Sequence, residues 1–279
     1  MNWTLSPDQF ALAWSRTDGD RIPYPLAVRL SARDTAERAA QLPALIRWCD
    51  QVLDADLEAA LRVLAQPDIR IEVFGQRDPA SVSPESLPGR PSSPEQAPAA
   101  ADAPGSRSDV RPVRILGTVT GNIAVVAAQR PGATPDRGGA VRLFAGGSKG
   151  LCARIVSMLP QNVPGTLSRL TAPVAQVDTD SRDLVTVPVA GPSTSARIRT
   201  LLKQQRDGVG QVVVSARRSD DESQPSAVLC WLDVVADGRY TVRTDTDVEV
   251  TAVTAQQFTA QLRPVVAAVA RASAASFER

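Results

Sequence analysis

Two stretches of the chain repeat the same order of secondary-structure signals, and this repeat constrains the fold more than any other feature. Residues 113–159 are predicted to form three strands and a helix, with a turn at Gly121–Asn122. Residues 227–270 repeat that order, and Asp237–Gly238 is a strong hairpin signal. Sequence identity between the stretches is weak. We expect an α+β fold in which two pseudo-symmetric halves share a mainly antiparallel β-sheet flanked by helices, with a C-terminal helical region.

The segment before the first repeat is predicted to be mostly helical. A short strand at residues 2–5 precedes a helix whose capping box begins at Ser6. Residues 31–65 carry helical apolar stripes, and we expect Pro43 to break them into two or three helices. A half-buried strand follows at 69–75, where apolar and polar residues alternate.

The order of these signals favours a single domain over residues 1–279, with an N-terminal half at 1–160 and a C-terminal half at 193–279. Within the first half, residues 79–112 are rich in Pro, Ser and Ala and bear no aromatic side chain, so we predict a long disordered loop. Residues 160–192 are expected to be irregular, since they contain several prolines.

Capping signals place several further helix ends. Ser148 is expected to cap a helix that follows the third strand of the first repeat. A helix at 195–206 is predicted to stop at Gly208. Thr254 begins a capping box for the last helix, which Pro264 should kink or split.

The composition argues against several classes of function. The chain contains no histidine, which excludes a Ser-His-Asp triad and a histidine zinc site. Cys49, Cys152 and Cys230 are isolated among apolar residues and are interpreted as buried, reduced thiols. A net charge of +1 provides no field that favours nucleic acid. We predict no catalytic residue, metal or cofactor, although an enzyme using Asp, Glu, Arg or Ser in a cleft between the halves stays an alternative.

Localisation follows from the apolar segments. The N-terminus lacks the long apolar run of a signal peptide, and the stretch at 265–270 is far too short to cross a bilayer. We expect a soluble cytoplasmic protein that does not insert into membranes.

Two short motifs are better explained by local structure than by ligand binding. The GGSKG string at 146–150 lacks the Walker A spacing, so a strand-to-helix turn is favoured over phosphate binding. Asp178, Asp180 and Asp183 lack the glycine and closing glutamate of an EF-hand, and a solvated loop is favoured over a cation site.

The strand predicted at 227–236 has two different faces. The first is expected to pack on helices, and its residues are Val228, Cys230, Leu232 and Val234. The second carries Trp231 and Asp233, and Arg239 returns nearby from the hairpin. Two interpretations stay open: an ion pair that holds the fold beside a core tryptophan, or part of a partner surface.

Four strings resemble the EspG family of type VII (ESX) secretion-associated proteins. They are WTLSPDQFALAWSR with DRIPYPL at 3–26, EVFGQRD at 72–78, MLPQNVPG at 158–165 and WLDVVADGRY at 231–240. The resemblance implies a repeated antiparallel sheet and a non-enzymatic cytoplasmic chaperone. Such a chaperone binds the helical tip of the PPE component of a PE–PPE heterodimer, keeps it soluble and targets it to the secretion system. A structural oligomerisation module without a client stays an alternative.

The expected partner surface comprises the 76–112 loop, one sheet face and the C-terminal helical region. Eight residues are candidates for partner binding: Gln76, Arg77, Arg114, Leu116, Trp231, Asp233, Arg239 and Phe258. The client pair is not specified by the sequence, and a weak homo-oligomer also stays open.

Overall fold

Ten strands form one antiparallel sheet within the residues that the computed structural model describes, which are 1–17, 19, 21–78, 110–178, 191–217 and 224–277. The strands are β1 (Asn2–Leu5), β2 (Ile69–Arg77), β3 (Arg111–Thr120), β4 (Ile123–Pro131), β5 (Gly138–Gly147), β6 (Leu170–Pro173), β7 (Arg206–Ala216), β8 (Gln224–Val234), β9 (Gly238–Thr244) and β10 (Asp247–Ala252). The helices are α1 (Pro7–Ser15), α2 (Thr35–Val52), α3 (Ala55–Ala65), α4 (Leu151–Met158), α5 (Val174–Asp178), α6 (Thr194–Lys203) and α7 (Ala255–Phe277). A 3₁₀ helix at Ser148–Gly150 leads into α4.

The sheet order is β1-β5-β4-β3-β2-β7-β8-β9-β10-β6, and it is symmetric about its centre. The halves meet where β2 pairs with β7, with Ile71 opposite Val214. From that seam the first half runs outward as β2 to β5 and the second as β7 to β10. The helices α4 and α7 follow β5 and β10 at equivalent places. The predicted α+β fold with two pseudo-symmetric halves on one antiparallel sheet is confirmed.

One face of the central strands is buried under α4 and α7. Alternate residues of the strands point to this face because side chains alternate along a strand. Ile71 and Val214 lie at its centre, Ile155 comes from α4, and Phe258 comes from α7; all four are fully buried. This layer is the largest core cluster of the described chain.

The opposite face carries two separate helical layers. Phe10 of α1 and Leu61 of α3 pack with Leu143 over β3, β4 and β5. On the far side, α5 and α6 cover the second half, where Leu201 and Val250 belong to one core cluster. The two layers stand apart, and the strands between them are described below.

Two predicted capping boxes are confirmed. The Gln9 amide nitrogen donates to the Ser6 hydroxyl at 3.2 Å, and the Ser6 amide donates to the Gln9 side chain at 2.8 Å. Thr254 and Gln257 repeat these contacts at the start of α7, with the same two distances. Each box satisfies donors that a helix start leaves without partners.

Neither helical proline divides its helix into two. Pro43 lies inside the 18-residue helix α2, and the chain breaks instead after Val52, where Asp54 caps α3. Pro264 lies inside α7, which continues through it for 23 residues, so the helix is not split. A proline removes one backbone hydrogen bond, and the helical bonds on either side keep each helix continuous.

Two other helix boundaries differ from the expectation. Ser148 makes no capping bond, because it lies in the 3₁₀ turn before α4. Gly208 is not a helix cap: α6 ends at Lys203, and β7 already includes this glycine.

The stretch expected to be irregular at 160–192 contains β6 and α5. The predicted loop at 79–112 is two residues too long at its end, since β3 begins at Arg111. Residues 79–109 lie outside the described residues, as do Asp180 and Asp183.

Candidate functional site

The central strands have no helix above them on one face, as far as the described residues show. The layer of α1 to α3 stops at β3, and the layer of α5 and α6 covers the far end of the sheet. We call the exposed part between them the open face. Its side chains come from three neighbouring strands: Arg70, Glu72, Phe74 and Gln76 of β2, Gln211 and Val213 of β7, and Val228 and Cys230 of β8.

The strand register arranges the open face in cross-strand rows. In one row, Phe74 lies opposite Gln211, which in turn lies opposite Cys230. In the next, Glu72 and Val228 flank Val213. Phe74 is 38% exposed and Val228 is 47% exposed, unusually high values for large apolar residues in central strands. Apolar and polar groups thus alternate over the open face, which is typical of interfaces that form and dissociate.

An aromatic pair stands at the edge of the open face. The rings of Tyr24 and Phe74 lie with centroids 5.8 Å apart and tilted by 44°, and Tyr24 is 51% exposed. Partial burial raises the pKa of Tyr24; the nearby carboxylate of Glu72 raises it further, and Arg114 opposes both. Exposed tyrosine and phenylalanine rings are common anchors for protein partners.

The open face also holds a half-buried acid. Glu72 lies 3.6 Å from the Arg70 guanidinium, and both side chains are about one quarter exposed or less. Burial raises the pKa of Glu72, and Arg70 only partly offsets this effect. The carboxylate is therefore incompletely stabilised in the free chain and would gain from a hydrogen-bond donor on a partner.

The predicted pair of Asp233 with an arginine is confirmed. The Nε and Nη2 atoms of Arg239 each donate to the Asp233 carboxylate at 2.7 Å, and the two residues are 1% and 4% exposed. Trp231 is also buried and packs under α7. The geometry is that of a bidentate ion pair within the fold.

The hairpin that carries Arg239 also fixes a segment at 160–167, which we call the strap. The Arg239 amide donates to the Val163 carbonyl at 2.7 Å, and Nη2 of Arg239 donates to the Pro160 carbonyl at 2.8 Å. Tyr240 accepts from the Leu167 amide at 3.0 Å and donates to Asp237 at 2.5 Å. The MLPQNVPG and WLDVVADGRY strings are thus physically joined.

Glycine is required where the strap passes Tyr240. A Cβ atom at Gly165 would lie 2.0 Å from the Cζ atom of that ring. Gly238 has φ 147°, and a side chain there would also meet the Pro164 carbonyl oxygen at 2.6 Å. The hairpin and the strap therefore approach so closely that only glycine fits at these two positions.

A second ion pair ties the strap to β2. Arg77 donates to the Gln161 carbonyl at 2.8 Å and lies 3.4 Å from the Asp207 carboxylate. The Oδ1 atom of Asp207 is buried without a hydrogen-bond partner among the described residues. Burial raises the pKa of Asp207; Arg77 lowers it, and the neighbouring Asp233 carboxylate raises it again.

A cavity of about 420 Å³ opens beside the strap, where β2, β3 and β4 meet the end of α4. Its apolar lining includes Val113, Ile115, Ala128 and Met158. Arg77 and Arg111, which lie directly opposite each other on β2 and β3, stand at its rim, and Arg114 also lines it. The described lining residues include no carboxylate.

The eight candidate partner residues fall into two groups. Gln76 of the open face lies near Arg77 and the buried Arg114, which line the cavity at the end of β2 and β3. The others are buried in the free chain, in the central core, in the core under α1 to α3, or in the ion pair: Leu116, Trp231, Asp233, Arg239 and Phe258. Their role in partner contact stays a prediction.

The burial of Arg114 is notable for a charged residue. Its guanidinium donates to the Pro135 carbonyl at 2.6 Å, and burial lowers its pKa while Tyr24 and Asp136 oppose that shift. Arg114 thus links the aromatic pair at the open face with the residues around the cavity.

The prediction that one face of β8 packs on helices is half correct, since Leu232 and Val234 are buried in the core cluster that includes Leu201 of α6. Val228 and Cys230 were expected to pack on helices, but they lie on the open face, whereas Leu229 and Trp231 pack under α7. The alternation separated the faces correctly, but it cannot tell which one a helix covers. Tyr24 was missed because its contact with Phe74 joins residues far apart in sequence.

The described residues were also searched for a metal site, a phosphate-binding turn and a membrane span. No group of three His, Cys, Asp or Glu residues within the described ranges lies close enough to hold a metal ion. The GGSKG string forms the end of β5 and the 3₁₀ turn, as predicted. None of the described helices is long and apolar enough to span a membrane.

Comparison with known proteins identifies the family to which the chain belongs. Among solved structures, the chain is similar to the Mycobacterium tuberculosis type VII secretion system chaperone EspG5 in complex with a PE25–PPE41 dimer. The two share 16% identity with a TM-score of 0.55, over 93% of this chain and 94% of that chain, which shows a common fold. No curated protein matches significantly. The EspG family model matches residues 6–264, and the chain therefore belongs to the EspG family.

Proposed function

We propose that this chain is a chaperone that binds the PPE component of a PE–PPE heterodimer, keeps the dimer soluble and targets it to a type VII secretion system. Two observations support the proposal. The chain belongs to the EspG family, and the similar EspG5 was solved in complex with a PE25–PPE41 dimer.

The open face is the proposed docking surface. The observation that carries this assignment is the exposed apolar side chains on strands whose other face is buried, above all Phe74 and Val228. Covering them removes apolar surface from water, which stabilises a complex by about 25 cal/mol per Å² of buried apolar area. This free energy favours docking of a client without any covalent chemistry. Tyr24 and Gln76 extend the surface at its border.

The proposal assigns no catalytic role to the chain and places its action in the cytoplasm, before export. It also treats residues 1–279 as a single domain with halves at 1–160 and 193–279. The ten-stranded sheet supports a single domain, since it joins the two halves through backbone hydrogen bonds.

Co-expression with PE–PPE pairs from the same genome tests the proposal. A tagged chain should copurify with one pair as a single species in size-exclusion chromatography. Val228→Asp should weaken that complex about 30-fold, because a buried charge replaces an apolar contact at the centre of the interface.

Ile123→Asp is the matched control. Ile123 is a β-branched strand residue that is 52% exposed, and it lies at the start of β4, away from the open face. This variant should bind like the unaltered chain. If no pair copurifies, the chaperone assignment is wrong; if both variants bind equally well, the open face is not the docking surface.

A further inference from the structure

We infer that Gln129 is a positioning residue of the docking surface. Its side chain fixes the segment at 21–28, which we call the arm, so that the ring of Tyr24 stands beside Phe74 before a client arrives. The inference rests on the proposed function for the role of the open face. The arm contains neither helix nor strand, and its backbone groups therefore need partners from other parts of the chain.

The side chain of Gln129 binds both backbone groups of one arm residue. Its Oε1 atom accepts from the Ala27 amide at 2.8 Å, and its Nε2 atom donates to the Ala27 carbonyl at 3.2 Å. Nε2 also donates to the Gly139 carbonyl at 3.3 Å, so the side chain joins the arm to β5. Gln129 is only 7% exposed, and these hydrogen bonds hold its buried amide in one orientation.

Gly138 leaves the space that this amide occupies. A Cβ atom at Gly138 would lie 2.0 Å from the Cδ atom of Gln129, so a larger residue would displace the amide. The backbone nitrogen of Gly138 also donates to the Ala27 carbonyl at 2.8 Å. The carbonyl of Ala27 thus accepts from β4 and from β5, at the place where the register between these two strands shifts.

The register of the sheet connects Gln129 to the aromatic pair. Phe74 of β2, Arg114 of β3 and Gln129 of β4 form one cross-strand row. Neighbouring strands lie about 4.8 Å apart, so the backbones at the two ends of this row are about 10 Å apart. Ala27 follows Tyr24 by three residues, which span at most about 11 Å of extended chain. Holding Ala27 at Gln129 therefore places the Tyr24 ring within reach of Phe74, which it contacts.

The rest of the arm packs inward and leaves Tyr24 outward. Leu26 is 7% exposed and belongs to the core under α1 to α3, and Ile22 and Val28 pack against that core. Tyr24, which lies between these anchored residues, is 51% exposed. An aromatic ring that is held in place before binding loses little conformational freedom when a client docks, which lowers the entropy that binding must overcome.

Hydrogen–deuterium exchange of the free chain tests the positioning. Gln129→Met keeps the length of the side chain and removes its hydrogen bonds, so amide exchange over 21–28 should become at least about tenfold faster. Gly138→Ala should have the same effect, because it displaces the amide without removing it. Thr118→Val is the matched control, since Thr118 is a fully buried residue of β3 that donates to the Val125 carbonyl and makes no hydrogen bond to the arm. Thermal unfolding checks that each variant is folded.

Affinity for the copurified PE–PPE pair tests the role in docking. Tyr24→Ala and Gln129→Met should each weaken the complex about tenfold, because each removes the positioned ring from the interface. The double variant should bind no more weakly than Tyr24→Ala, because Gln129 acts through the Tyr24 ring. A general loss of stability would act independently of the ring, and the two effects would then add.

The outcomes separate this inference from the proposed function. Unchanged exchange over 21–28 in both variants would overturn the inference. Additive effects on affinity, or a PE–PPE pair that binds Gln129→Met as tightly as the unaltered chain, would also overturn it while leaving the chaperone assignment intact. Faster exchange confined to the arm would support the positioning even if no pair copurifies, whereas the lack of any pair with the unaltered chain counts against the proposed function.

Discussion

The two faces of the central strands differ in burial: one is covered by helices, and the other is exposed. On the covered face, Ile71, Val214 and Trp231 are buried beneath α4 and α7. On the open face of the same strands, Phe74 and Val228 remain exposed between two helical layers. Under the proposed function, one set of strands serves two purposes: residues of the covered face hold the fold, and their immediate neighbours in sequence form the proposed docking surface.

The largest expected effect is on the covered face. Trp231→Ala should lower the free energy of unfolding by about 5 kcal/mol, because it removes a fully buried aromatic side chain and leaves a cavity. Urea unfolding followed by circular dichroism measures this change. A loss below about 1 kcal/mol would mean that the covered face is not the main source of stability.

The next effect concerns the ion pair that holds the strap. Asp233→Ala should cost about 3–4 kcal/mol, because it leaves the Arg239 charge buried without its partner. Replacing both residues with leucine should recover most of the lost stability, since two buried charges then disappear together. If the single variant unfolds in urea like the unaltered chain, the strap does not depend on this pair.

The smallest expected effect concerns pH. Burial raises the pKa of Asp207 in the folded state, so the fold binds this proton more tightly than the unfolded chain does. Its contribution to stability is therefore present at low pH and is lost as pH rises through the folded-state pKa. Relative to Asp207→Asn, the unaltered chain should gain stability as pH falls from about 7 to about 4.

Urea unfolding of both chains at several pH values measures this difference. A relative gain on raising the pH would contradict the account, since it would mean that Arg77 dominates over burial and lowers the pKa of Asp207.

Much of the fold could be predicted from local signals. The capping boxes at Ser6 and Thr254 and the hairpin at Asp237–Gly238 depend on contacts between residues close in sequence. These contacts can therefore be recognised from the sequence alone. The repeated order of strands and helix fixed the pseudo-symmetry for the same reason. Pro43 and Gly208 were assigned wrongly: α2 continues through the proline, and strand pairing includes the glycine in β7.

The candidate site was harder to predict, because it depends on which surfaces helices leave uncovered. Alternation put Phe74 on the polar side of its strand, yet only the three-dimensional structure shows Tyr24 beside it and none of the described helices above it. The pairing of Asp233 with Arg239 was accessible from the short hairpin between them. Their contact with the strap was not, since it joins segments more than 70 residues apart.

The most direct test of the division between the two faces is thiol labelling. Val228→Cys in a chain that also carries Cys230→Ser places one reactive thiol on the open face, while Cys49 and Cys152 are buried. Maleimide labelling is timed with and without the copurified PE–PPE pair, and Ile123→Cys in the same background is the control. The account predicts labelling at 228 at least about tenfold slower in the complex, with little change at 123, because a docked client excludes water from the open face. Equal labelling at 228 in the free and bound chains would contradict it.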